Sequence, residues 1–220
     1  MKKISIAQLF YLFFVLLFVS CSQESGREET AANSKSAIKI QQVLDENDLD
    51  TQKIKYNLLS GEEKYSLWNN KYESLINGTY KAQATGFFLN EEQKELIQEL
   101  KNKITVNVYN TEDSDEKAYF KNIYTPSFLK KAEKIFTYEQ IGNIFYKVSE
   151  TASISAAQHS SAKTASVADA EKPCVCNVGA IFTCQWGGER CEAQKCVGNG
   201  RPDGCGFNWD YPCDGLCNLI

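Results

Sequence analysis

The last 47 residues, Cys174 to Ile220, hold eight of the nine cysteines of a 220-residue chain. They fall at C-x-C-x7-C-x6-C-x4-C-x8-C-x7-C-x3-C through Cys174, Cys176, Cys184, Cys191, Cys196, Cys205, Cys213 and Cys217. So short a segment cannot bury enough apolar surface to fold on a core of its own. Cross-links must hold it. Closing one loop of about 15 residues removes roughly 3 kcal/mol of unfolded-state entropy, so four bridges can supply most of the stability. The rival reading is a thiolate metal site. The segment has no C-x2-C knuckle, and the only histidine of the chain, His159, lies outside it. The spacing therefore favours disulfides over zinc, with no metal ligands and no cofactor. Which cysteine pairs with which stays open, although Cys174 and Cys176 are expected to take different partners.

The ninth cysteine, Cys21, has a different setting. Two lysines open the chain, an apolar run extends from Ile4 to Ser20, and Val19-Ser20-Cys21 follows. A positive start, an apolar stretch shorter than the ~20 residues that span a bilayer, and a cysteine behind a small residue read as a lipoprotein-type signal peptide over 1–20, with lipid on Cys21. An uncleaved anchor, or an ordinary signal with an incidental cysteine, is the alternative. Lipidation also leaves an even eight cysteines to pair. Residues 21–36 are polar and suit a tether. Export to an oxidising compartment, on the outer membrane or cell surface, follows from both sets of cysteines.

Residues 37–150 have a helical pattern. Ser60 with Glu63, Asn90 with Gln93, and Thr137 with Gln140 have capping-box spacing, and Thr125-Pro126 reads as a further helix start. Tyr65, Trp68, Tyr72, Leu75 and Ile76 form one apolar stripe, closed by Gly78; Leu96, Ile97, Leu100 and Ile104 form another. "KITVNVYN" alternates like a short strand, though one isolated strand is a poor structural unit. The fold class is accordingly two-part: a mainly α helical bundle, then a small disulfide-rich module of irregular and short-β structure over 174–220. The Ser- and Ala-rich stretch 151–173 is too poor in large apolar residues to order itself and reads as a linker that keeps the two parts independent.

Charge and chemistry exclude several functions. With 24 basic against 28 acidic residues, the chain has no broad face for nucleic acid. The lone His159 sits in the linker, and the carboxylates are scattered over helix surfaces, so no catalytic constellation is recognisable and the chain reads as a non-enzyme. In the tail, Trp209 and Tyr211 stand two apart and Trp186 precedes a Gly-Gly pair. One tryptophan packed on a disulfide is the structural reading; three large aromatics in so small a module also fit a partly exposed recognition face.

The C-x-C that opens the tail and Cys205-Gly206-x-x-Trp209-x-Tyr211-x-Cys213 near its end resemble the fulvocin C-related family of cysteine-rich bacteriocin-like proteins. The order of signal, polar helical region, linker and cysteine tail is similar too. The resemblance covers about residues 172–220 and carries over the cysteines and the Gly-Trp-Tyr motif, with no catalytic residue. It implies an exported precursor, in which 37–150 is a leader or carrier and the oxidised tail is the antibacterial peptide. Three basic against five acidic residues in 174–220 give a net charge of −2, which disfavours simple lysis of anionic membranes. A wall or envelope component of a target cell is the expected partner. The alternative is a surface-displayed lipoprotein whose tail binds a glycan or a protein.

Overall fold

A computed structural model describes residues 25–80, 88–110 and 114–149 and, in the tail, 174, 176–179, 184, 189–193, 196 and 201–219. The chain divides into two compact units, Met1–Lys39 and Ile40–Ile220. The lipidation candidate Cys21, the linker 151–173 with His159, and Trp186 all lie outside the described residues.

Among the described residues seven α-helices come first: α1 (Ser25–Leu44), α2 (Leu49–Asn57), α3 (Gly61–Ile76), α4 (Glu91–Lys101), α5 (Asp115–Tyr119), α6 (Thr125–Ile135) and α7 (Tyr138–Phe145). Their starts are written locally. All three capping boxes form, with Ser60, Asn90 and Thr137 each accepting from the backbone N–H three residues on while Glu63, Gln93 and Gln140 reach back. Gly78, at φ +68, follows the end of α3. Two further stretches refine the local reading. "KITVNVYN", a poor candidate for an isolated strand, contains a 3-10 turn over Val106–Tyr109, which buries Val108 and Tyr109. Pro126 does stand in the first turn of α6, as expected, but Thr125 is not its cap. α5, capped by Ser114, runs into a π-helical turn over Phe120–Tyr124 and on into α6, and Thr125 has helical backbone. Pro126 has no N–H to give, and the wider turn before it absorbs the missing bond.

The core of the helical part is aromatic. Trp68 and Tyr72 of α3 stack, Phe128 of α6 meets Phe145 of α7 edge-on, and Phe136 meets Phe145 likewise. Long polar side chains thread this core by satisfying backbone groups that helix ends leave open. The Lys71 ammonium donates to the carbonyls of Asn143 (2.7 Å), Ile144 (2.8 Å) and Lys147, neutralising the negative end of α7. Gln93 donates to the Ile135 carbonyl at 2.8 Å, where α6 ends. Gln52 joins the Val43 carbonyl (2.9 Å) to the Ser149 hydroxyl (2.8 Å), so both ends of the helical part are tied to α2.

Among its described residues the tail forms two antiparallel ribbons. β1 (Glu189–Ala193) pairs with β4 (Gly215–Leu219), and β2 (Arg201–Cys205) with β3 (Tyr211–Cys213). The eight cysteines bond as Cys174–Cys196, Cys176–Cys191, Cys184–Cys217 and Cys205–Cys213. Cys191 and Cys217 face each other across the β1–β4 ribbon yet bond elsewhere, so each strand is stapled outward to a separate stretch of the tail. Gly215 is required where they crowd: a Cβ there would stand 2.7 Å from the Cys191 sulfur and 2.7 Å from the Glu192 carbonyl oxygen. Disulfides of this kind suit an oxidising compartment. Among the described residues no helix is long and apolar enough to cross a membrane.

The helical part from Ile40 on and the tail belong to one compact unit, Ile40–Ile220, and Phe207 and Trp209 are members of the helical core cluster.

Candidate functional site

Among the described residues the contact is made by one bridged loop and by the β2 strand that leads into it. Cys205 and Cys213 close an eight-residue separation, and between them the chain leaves β2, makes a 3-10 turn over Phe207–Trp209, and returns as β3. Gly206 has φ 69 and ψ −165, a conformation open in practice to glycine alone. Asn208 and Trp209 follow, both at φ 53. Asparagine tolerates the left-handed region, but tryptophan rarely enters it, so the surroundings must enforce this backbone. The enforced turn drives successive side chains into the helices instead of alternating them about a strand.

Phe207 is 1% exposed, stacked on Phe145 (centroids 5.5 Å) and edge-on to Phe128 (5.6 Å) and Tyr146 (6.0 Å). Asn208 is fully enclosed by tyrosines. Its amide oxygen accepts from the Tyr72 hydroxyl, its amide nitrogen lies 3.4 Å from the Tyr109 hydroxyl, and its backbone carbonyl accepts from Tyr56 at 3.2 Å. Burial pushes the Tyr72 and Tyr109 phenols well above the ordinary tyrosine range, which keeps them protonated. Trp209 donates its indole N–H to the Tyr146 carbonyl at 2.8 Å and meets Tyr56 edge-on at 5.3 Å.

Asp210 supplies the charge of the site. Its carboxylate, with the side chain 1% exposed, lies 3.5 Å from Lys117 and 3.6 Å from Lys121, one on α5 and the other on the π turn. A buried carboxylate without a cation nearby would be costly; two lysines one turn apart, each still touching water, hold it. Lys121 also sits 5.0 Å over the Tyr211 ring, and the Tyr211 hydroxyl donates to the Lys121 carbonyl at 3.2 Å. Burial, with Asp210 second, pushes the Tyr211 phenol up to about 12. On the other flank the backbone of Gly204, at φ +114, packs against the stem of Lys53, whose ammonium donates to the Cys205 sulfur at 3.4 Å.

The expected recognition face of Trp209 and Tyr211 is therefore turned inward. Trp209 is buried and Tyr211 half-buried, both against the helices, because the left-handed turn at 208–209 redirects side chains that an extended strand would have shown to solvent. Asn208, Asp210, Lys117 and Lys121 were missed by sequence reasoning, although "CGFNWDYPC" contains a signal. A glycine and an asparagine that permit left-handed backbone, spaced among three aromatics inside one bridged loop, demand more apolar cover than a 47-residue module can offer.

The metal alternative has a geometric trace here: the sulfurs of Cys176, Cys184 and Cys191 lie within 4.8 Å of one another. Cys176 is bonded to Cys191 and Cys184 to Cys217, so these sulfurs carry no thiolate charge with which to bind an ion.

The class defined by this fold is a helical domain that grips a disulfide-bridged β tail through one aromatic loop. No family model, no curated protein and no solved structure matches the chain.

Proposed function

We propose that this chain is an exported, lipid-anchored, bacteriocin-like precursor whose helical domain keeps the disulfide module inactive by burying its aromatic loop. One observation carries the reading: Phe207, Asn208 and Trp209, the densest part of the module's recognition chemistry, are enclosed by the helices. Cys21 would hold the precursor at the membrane, the 151–173 stretch would be the site of release, and the exposed loop would then engage an envelope or wall component of a target cell. The module's net charge of −2 supports such specific capture over cationic lysis. The role needs no catalytic group and no cofactor.

The test compares the oxidised full-length chain, the same chain cut within 151–173, and the oxidised module isolated from it, on a panel of related bacteria. Growth inhibition by the isolated module and none by the intact chain is the expected result. A second reading, a permanently joined surface lipoprotein with a glycan- or protein-binding tail, draws support from the shared core of Ile40–Ile220. An isolated module that is inert on every strain, with an intact chain that binds envelope glycans, selects that reading instead.

A further inference from the structure

All four disulfides lie within 174–217, and residues 40–149 contain no cysteine. No disulfide thus joins the helices to the tail, and among the described residues the grip centres on the Cys205–Cys213 loop with β2 beside it. Its anatomy is that of an interface between two proteins. Phe207 and Trp209 sit at the centre of a desolvated aromatic pocket, Asn208 is read by three tyrosine hydroxyls, and Asp210 meets a pair of lysines. The pocket reads shape, an amide and a charge together. Its contacts also enforce the left-handed backbone at Asn208 and Trp209, so recognition and loop conformation are coupled.

We infer that the helical domain is a binding partner for the disulfide module in its own right, able to take the Phe207–Tyr211 loop from a second copy of this chain as well as from its own. Cutting the chain between 151 and 173 leaves the two parts associated, and a helical fragment captures a module set free by another molecule. The biological meaning, a neutralising partner that protects the producing cell, rests on the precursor reading; the association itself does not.

The experiment uses the full-length oxidised chain with a specific protease site inserted between Ser160 and Ser161. After cleavage, gel filtration under native conditions is expected to show both fragments eluting together with all eight tail cysteines still bonded. Mixing cleaved chain with an isotopically labelled cleaved copy is expected to give hybrid pairs by native mass spectrometry. Trp209→Ala is expected to weaken the pair at least about 30-fold, as loss of a central aromatic does at protein interfaces. Lys121→Glu alters only the helical side, placing a carboxylate against Asp210, and is expected to weaken it at least about 10-fold with helix content unchanged by circular dichroism. Fragments that separate on cleavage with their disulfides intact overturn the inference, and so do pairs that hold but never form hybrids. Growth inhibition is a separate readout. A module that is held yet inert sinks only the precursor reading, whereas an inhibitory module that is not held sinks only the capture of the loop by the helices.

Discussion

The helical part and the cysteine tail solve the problem of stability in opposite ways, and each leaves something the other completes. The helices bury Trp68, Tyr72, Phe128, Phe145 and their neighbours behind capping boxes, with no cross-link. The tail has four bridges and two small ribbons, and two of its largest side chains, Phe207 and Trp209, lie in the helical cluster rather than in its own. The sulfur-rich cluster of the tail consists of Cys174, Cys196, Cys205 and Cys213 with Leu216 beside it. Disulfides limit the unfolded chain; they do not supply a place to bury a tryptophan. The comparison teaches that a cross-linked module can be well specified and still depend on a neighbour for its apolar surface.

The largest effect should come from breaking the bridges. Loss of even one native disulfide from a small domain costs about 2–5 kcal/mol, and four are at stake here. With separate parts, dithiothreitol would leave the helical signal untouched. With a shared core, the Cys205–Cys213 closure positions the loop that fills the helices, so reduction should lower the thermal midpoint of the helices as well. Circular dichroism melts with and without reductant, read at helical wavelengths, decide the point. An unchanged helical midpoint breaks the picture of one core.

Next in size is the loop itself. Trp209→Ala should cost about 3–5 kcal/mol, the usual range for deleting a buried large aromatic, and should shift a single cooperative transition. Two transitions, with the helical one at its original denaturant midpoint, would confine the damage to the tail. Asp210→Asn comes after it. The substitution keeps the shape and removes the charge that faces Lys117 and Lys121. Because both lysines retain some contact with water, the loss should be about 2 kcal/mol, below the ~3–5 kcal/mol of a fully buried broken pair. The informative control is Lys117→Met with Lys121→Met, which strands the carboxylate and should cost more than Asp210→Asn; the reverse order would mean that the pair does not hold the loop.

What could be read from the amino acids follows the range of the forces involved. The capping boxes at Ser60, Asn90 and Thr137 were legible because three adjacent residues settle them. The stripe Leu96, Ile97, Leu100 was legible because helical periodicity is a property of the segment. The two-part order of helices and bridged short strands followed from composition. The pairing of the cysteines did not, since spacing leaves many patterns equally closed. Thr125-Pro126 was legible as to the first-turn proline but not as to the cap, because a π turn carries the helical backbone on through Thr125 and the packing buries Phe120, Tyr124 and Phe128. Trp209 and Tyr211 misled for a related reason. An aromatic pair in a strand and an aromatic pair in a left-handed turn are the same letters, and only the helical pocket, contributed by Tyr56, Tyr72, Tyr109 and Tyr146 from far along the chain, decides between them.

The smallest effect sharpens the comparison most, because it separates the contact from the core. Tyr211→Phe keeps the ring beneath Lys121 and removes only the hydroxyl bonded to the Lys121 carbonyl. At neutral pH the variant should lose about 1 kcal/mol, the worth of one ordinary hydrogen bond. At alkaline pH the difference should change in a definite direction. The phenol ionises near 10 when unfolded and near 12 in the folded chain, so between those values the unfolded state has released a proton that the folded state still binds. Stability then falls as pH rises, and the contribution of Tyr211, full below pH 10, is lost as pH climbs through about 12. The variant has no such group, while Tyr72, Tyr109 and Tyr146 titrate in both proteins and cancel in the comparison. Denaturant unfolding of the two proteins at matched pH should therefore show the wild type ahead at neutral pH and its lead shrinking above pH 10. Parallel alkaline decline in the two would place the Tyr211 hydroxyl in water, outside the contact between helices and tail.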